Sequence, residues 1–240
     1  MQFDGQTVLV TGANRGLGAR LVEALLDAGA AKIWAGARDP NRIARAVLDD
    51  VRVVPLALDI ADQASVEWAA GRATDVDVLI NNAGVLGSGG PLEGDLDLFE
   101  RDVLTNYLGT LRVTRAFVPI LERNAPAVVV NVLTVIALAP IRSLAGYCAS
   151  KAASHSMTQA LRAELKGRGI DVIGAYPGGI DTDMVAGVEM LKTPADDVAV
   201  RIVEGVQAGE AIIWPDPIST GAGGAYLENP IALEEMLAAF

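Results

Sequence analysis

Tyr147 and Lys151, four residues apart, are the pair in this chain best suited to moving a proton. They open the segment AGYCASKAASHSMTQALRAEL (145–165), which reads as a helix. On a helix, a spacing of four puts the phenol and the ammonium on one face. A positive charge beside a phenol favours phenolate, so the pair is expected to lower the tyrosine pKa from its ordinary value of about 10. A tyrosine tuned that way can exchange a proton near neutral pH. Thirteen residues before Tyr147, Thr134 follows the apolar run VVVNVL (128–133) and would place a hydroxyl at a strand end facing the same place. By itself the Tyr–x–x–x–Lys pattern is more often an amphipathic side chain beside a solvated charge. The surrounding elements decide.

Those elements alternate. Strand-like segments are TVLVT (7–11), KIWAGA (32–37), VRVVPLALD (51–59), VDVLINNAG with its exit loop (76–84), AVVVNVL (127–133), IDVIGAY (170–176) and EAIIW (210–214). Between them lie segments with helical spacing, at 17–30, 41–49, 62–73, 96–123, 145–165 and 195–207. Strand–helix repeats whose strands are apolar without alternation predict a parallel sheet covered on both faces. No linker, low-complexity tract or internal repeat divides the chain. The expected fold is α/β: one doubly wound domain of the Rossmann type over residues 1–240, with a seven-stranded, mostly parallel sheet.

Composition narrows the function. The 240 residues are 51% hydrophobic and 20% charged, enough to bury a substantial core and too apolar for disorder. A net charge of −11 argues against nucleic-acid binding, which needs a basic surface. The single cysteine, Cys148, excludes an internal disulfide and suits a reducing compartment. MQFDGQTVLV lacks the basic start of a signal peptide, and the longest apolar stretch, around Ala125–Pro140, is broken by Asn131 and Thr134 and too short to span a bilayer. A soluble, cytoplasmic protein is expected, with neither a nucleic-acid nor a membrane partner.

The first strand-to-helix joint reads TGANRGLG (11–18). Glycines there permit a tight turn and the close approach of a pyrophosphate to the helix N-terminus, where free N–H groups point outward. The spacing differs from G-x-G-x-x-G and resembles T-G-x-x-x-G-x-G of the short-chain dehydrogenase/reductase family. The resemblance extends along nearly the whole chain. NNAG (81–84), Asp59 at the end of LALDI, Asn106 in the long helix, Tyr147 with Lys151, and PGGIDTDM (177–184) all fall in the family's order and on the expected elements.

The resemblance implies hydride transfer between NAD(P) and a carbonyl or alcohol. Tyr147 would give its proton to the carbonyl oxygen. Lys151 would hold the nicotinamide ribose and depress the tyrosine pKa, and Asn106 would hold a water that refills the proton. Gly12, Asn14, Arg15, Gly16, Leu17 and Gly18 would cradle the pyrophosphate. Asp59 and Ile60, with Asn82, Ala83 and Gly84, would border the adenosine. Pro177, Gly178, Ile180 and Thr182 would line the nicotinamide.

Thr134 departs from the pattern, because the family usually has serine there. Threonine keeps a hydroxyl, but its β-branch restricts χ1 and its methyl takes space. It could be a working substitute, or a structural residue in a weak or inactive enzyme, or Ser143 on the approaching loop could replace it. The alternative to a carbonyl reductase or alcohol dehydrogenase is therefore a dinucleotide-binding sensor or scaffold. Arg38 after the second strand, with Arg15 in the glycine turn, points to NADP rather than NAD, since two guanidinium groups can hold a ribose phosphate where NAD folds place an acid. The alternative has Arg38 paired to Asp39.

The remaining residues read more plainly. His155 is a packing or surface residue, Cys148 a small packed one, Asp181 and Asp183 loop caps, and Gly87–Pro91 a flexible loop; no metal site is expected. Loops 86–97, 136–144 and 184–193, with Leu138, Ile141, Met184, Val185 and Leu191, predict a mostly hydrophobic aldehyde or ketone substrate. The long helix is apolar around much of its circumference, which predicts a homodimer or homotetramer through it and the Tyr147 helix.

Overall fold

The structure, a computed structural model, describes residues 1–186 and 191–238. In chain order it begins β1 (Thr7–Thr11), α1 (Gly16–Asp27), β2 (Lys32–Ala37), α2 (Arg45–Leu48), β3 (Val53–Ala57), α3 (Gln63–Arg72) and β4 (Val78–Asn81). Next come α4 (Leu96–Asp102), a π-helical segment (Val103–Gly109), α5 (Thr110–Arg123), β5 (Ala127–Val132), α6 (Ala145–Leu165) and β6 (Ile170–Ala175). A two-residue ladder of β7 (Ile180–Asp181) with β8 (Thr193–Pro194) precedes α7 (Ala195–Ala208), β9 (Ile212–Ile213), α8 (Pro217–Glu228) and α9 (Pro230–Leu237).

Seven strands form one sheet in the order β3-β2-β1-β4-β5-β6-β9, and every neighbouring pair is parallel. The missing alternation in the strand sequences has its cause here, because both faces are covered. Val8 and Val10 of β1 join the core beneath α1 and α7, while Leu9 between them joins the core beneath α3 and α5. Val128 and Val130 of β5 likewise face one layer, and Val129 the other. The chain leaves β1 toward β2 and β3, then returns past it to β4, so the strand order reverses between β1 and β4. Ligands of open α/β sheets bind outside the carboxyl ends of strands at such a point.

Three segments differ from expectation. Residues 41–49 do not form one helix. Pro40 starts a 3-10 turn capped by Asp39, which accepts from the Asn41 N–H at 3.1 Å, and only four residues of α helix follow. The long helix 96–123 is broken by the π segment, whose wider turn carries Asn106. After β9 the chain forms two helices that apolar periodicity did not reveal, since α8 carries three glycines, Gly221, Gly223 and Gly224, of poor helix propensity. Both start on capped prolines, with Asp216 and Asn229 as N-caps, and they pack over residues 133–139 through Ala222 and Leu233. Among the described residues, no helix is long and apolar enough to cross a membrane.

Candidate active site

The glycine turn is built by close approach. Gly12 has φ +69°, and a Cβ there would lie 2.9 Å from the Ala83 Cα. A Cβ on Gly18 would lie 2.1 Å from the Gly12 carbonyl oxygen and 2.6 Å from the Asn82 Nδ2. Gly16, at φ +53°, faces the Thr182 methyl, so the loop after β6 folds over the turn. Thr11 locks β1 to β4: its hydroxyl accepts from the Asn82 and Ala83 N–H groups, both at 3.0 Å, and its carbonyl from Asn82 Nδ2 at 3.0 Å. Leu17 is buried in the core beneath α1, Asn14 is half-buried in the turn, and Arg15 is exposed with its guanidinium 3.9 Å from Asp183. Asp183, read as a loop cap, thus also faces Arg15 at the surface. A contact this exposed contributes little to stability.

These features fit a dinucleotide. The first turn of α1 has neither a side-chain cap nor an acid, so its N–H groups and positive dipole end are left for an anion, and the cradle in front of them is one that a Cβ at 12 or 18 would fill. Arg38, exposed after β2, makes no ion pair among the described residues, and Asp39 directs its carboxylate to Asn41 instead. Asp59 lies half-buried beyond β3, with its carboxylate on the Ala61 N–H at 3.0 Å. Ile60 is buried where a Cβ on Gly109 would touch it at 3.0 Å. Pro177 accepts from the Val135 N–H at 3.1 Å, Gly178 donates to Asp216 at 2.8 Å, and Ile180 pairs with Thr193.

On α6, Tyr147 is half-buried and Lys151 is buried. The Lys151 Nζ lies 5.9 Å from the centre of the Tyr147 ring and donates to the Val132 carbonyl at 2.8 Å, two residues before the buried Thr134. A Cβ on Gly84 would come within 3.1 Å of Asn106 Oδ1 and 3.9 Å of Lys151 Nζ, so Gly84, Asn106 and Lys151 converge. The Asn106 amide is fully engaged: it accepts from the Val85 N–H at 2.8 Å and donates to the Val85 carbonyl and the Ser150 hydroxyl, both at 2.9 Å. Its own carbonyl accepts from Ser154 at 3.1 Å.

One electrostatic expectation is overturned. Burial, with the charges of Cys148 and Asp102 added, pushes the Tyr147 phenol above its ordinary value rather than below it. Burial also lowers the Lys151 ammonium to about 8. Both groups lose water, and each is driven toward its neutral form.

Within Gly87–Pro91, read as a flexible loop, the Gly87 N–H donates to Asp102 at 2.9 Å and the Gly89 N–H donates to the Ser143 carbonyl at 2.8 Å. His155 is the packing residue expected, half-buried with its ring edge-on to Tyr176 at 5.6 Å and its Nδ1 2.6 Å from the Tyr176 hydroxyl. Asp102 was missed, although its place four residues before Asn106 puts it on the same helical face. Residues 187–190, within the expected substrate loop 184–193, lie outside the described residues.

With this geometry established, comparison with known proteins gives one answer. A family profile described as short chain dehydrogenase matches residues 6–191. A short chain dehydrogenase of Burkholderia cenocepacia, solved with NADP, superposes with a TM-score of 0.93 at 36% identity over 99% of both chains. The 1-deoxy-11-beta-hydroxypentalenate dehydrogenase of Streptomyces exfoliatus is 34% identical over 83% of this chain and 76% of its own. The short chain dehydrogenase tazN of Aspergillus terreus is 34% identical over 89% of this chain, which spans only 49% of the tazN length. The chain belongs to the short-chain dehydrogenase family.

Proposed function

We propose that residues 1–240 form one dinucleotide-binding and catalytic domain that reduces an aldehyde or ketone to an alcohol, reversibly, with NADP(H) as cofactor. The observation that carries this reading is the α6 pair: a buried ammonium 5.9 Å from the centre of a phenol ring and 3.9 Å from where a Cβ on Gly84, just past β4, would stand. The dinucleotide supplies or accepts a hydride when bound. Tyr147 holds the proton that the carbonyl oxygen takes, the Thr134 hydroxyl orients that oxygen, and Lys151 holds a ribose hydroxyl pair while staying close to the phenol. Asn106 fixes the exit of β4 against α6, and its role in refilling the proton rests on the resemblance.

Arg15 and Arg38 support NADP over NAD, since Arg38 is exposed without an ion pair among the described residues and the first acid after β2 is committed to its own turn. The NADP-bound Burkholderia protein agrees. Met184 and Leu191, both exposed on the loop after β6, support a hydrophobic substrate. Tyr107, Leu111, Met157 and Leu161 line a groove between the π segment, α5 and α6, which supports assembly through those helices. A monomeric mass by light scattering would reject the assembly. The buried free thiol Cys148 supports a cytoplasmic location.

The test is loss of NADPH absorbance against aliphatic, aromatic and cyclic carbonyls, with NADH in parallel. Turnover that vanishes in Tyr147→Phe supports the reading. Tight NADPH binding without turnover in either direction would replace it with a sensor.

A further inference from the structure

We propose that Asp102 is a positioning residue for Tyr147: its buried carboxylate ties down the loop after β4 and keeps a negative charge beside the helix that carries the phenol. The inference rests on Tyr147 being the proton donor. Asp102 is fully buried, at 0% exposure, on a segment whose neighbouring turns both touch α6. One turn before it, Phe99 packs so tightly on α6 that a Cβ on Gly146 would lie 3.0 Å from the Phe99 Cα. One turn after it, Asn106 bonds Ser150 at 2.9 Å. Residues 146 and 150 bracket Tyr147, so Asp102 stands between two contacts that flank the phenol's own turn.

The carboxylate has two donors. One is the Gly87 N–H at 2.9 Å, and the other is the guanidinium of Arg101, itself part-exposed, at 3.1 Å. The loop held at Gly87 is fastened again two residues on, where the Gly89 N–H donates to the Ser143 carbonyl at 2.8 Å and the Ala145 N–H to the Gly89 carbonyl at 3.1 Å. Those bonds lead directly into α6. One carboxylate therefore fixes a wall of the substrate site and the approach to Tyr147 together. The charged and titratable groups that act on Tyr147 are Cys148 and Lys151 on its own helix and Asp102 from α4. Burial is the main cause that disfavours phenolate, and Cys148 and then Asp102 add to it, which keeps the phenol protonated to higher pH.

The test compares Asp102→Asn and Asp102→Ala with unmodified protein. Asparagine keeps an acceptor for Gly87 and loses the charge, whereas alanine loses both. In Asp102→Asn, the alkaline fall of carbonyl reduction and the acid limb of alcohol oxidation should both move to lower pH, by roughly 0.5 or more, with the Gly87 amide as protected from hydrogen exchange as before. In Asp102→Ala, exchange at Gly87 should quicken at least about tenfold and kcat/KM should fall. If Asp102→Ala does not fold, Gly87→Ala opens the same tie from the other side, since its Cβ would lie 2.9 Å from the Asp102 carboxylate. That variant should raise KM and leave the pH limbs in place. A pH profile in Asp102→Asn that superimposes on the unmodified one, or unchanged Gly87 exchange in Asp102→Ala, overturns the proposal and leaves the reductase standing. Unmodified protein that turns over no carbonyl removes the reductase and this role with it.

Discussion

Lys151→Met should make the protein inactive and more stable at neutral pH. Burial holds the ammonium at about 8 in the folded chain, against an ordinary 10.5. That gap of about 2.5, at about 1.4 kcal/mol for each pKa unit, is a folding penalty of about 3.5 kcal/mol at pH 7. Below pH 8 the lysine is protonated in both states and the penalty stands in full. Between pH 8 and 10.5 the folded lysine gives up its proton while the unfolded one keeps it, so stability from this group rises with pH. Above 10.5 the penalty is gone. Methionine retains an unbranched chain without the charge, at the loss of the bond to the Val132 carbonyl, worth about 1 kcal/mol. The net gain is about 2.5 kcal/mol at pH 7, and it should shrink to near zero by pH 10. Urea melts without dinucleotide would show it as a midpoint raised by roughly 0.5–1 M at pH 7. A variant no more stable than the unmodified chain at pH 7, or a gain that does not change between pH 7 and 10, refutes the argument that desolvation dominates this site.

The remaining expectations follow from contacts already described. Thr134→Ser should keep turnover, while Thr134→Ala should lose at least about tenfold in kcat, roughly 1.4 kcal/mol of transition-state stabilisation; unchanged turnover in the alanine variant removes Thr134 from the chemistry. Arg38→Asp should raise the KM for NADPH at least about tenfold and spare NADH, and equal effects on both cofactors would reject a phosphate contact. Gly18→Ala puts a methyl 2.1 Å from the Gly12 carbonyl, a backbone atom that cannot step aside. It should lower stability by more than about 2 kcal/mol and abolish NADPH binding, read by thermal melting with and without cofactor.

The sheet and its helices were legible because both-sided burial leaves a mark that short apolar runs carry unaided: β1 and β2 appear at the bounds their residues suggest. The glycine turn was legible for a related reason, since Gly12 and Gly18 occupy positions where backbone meets backbone and no side chain fits. What escaped depended on context rather than pattern. The helix expected over 41–49 gave way to turn chemistry at Asp39 and Pro40, which competes locally with a weak apolar stripe. α8 and α9 were hidden by glycines whose cost is met by packing on residues 133–139. Asp102 looked like one more charge on a long helix. Its importance comes from Gly87, fifteen residues away in sequence and brought to it only by the fold.

The largest departure concerns the α6 pair, and it changes what the lysine is for. An ammonium four residues from a phenol should favour phenolate, and in water that reasoning would hold. At 5.9 Å in a buried site the attraction is outweighed, because taking each group out of water costs more than their proximity returns. Asp102 adds to the upward push on the phenol. The pair on its own therefore holds a protonated tyrosine, a weaker acid than a free phenol, beside an ammonium lowered to about 8. Under the proposed function, alcohol oxidation needs the phenolate form, which burial disfavours. In the same reading, the pH dependence of the two directions is expected to follow the protonation of Tyr147, which burial and the neighbouring charges govern. An alcohol oxidation optimum well above that of carbonyl reduction is the expected outcome in pH–rate measurements, and coincident optima would mean that burial does not govern this tyrosine.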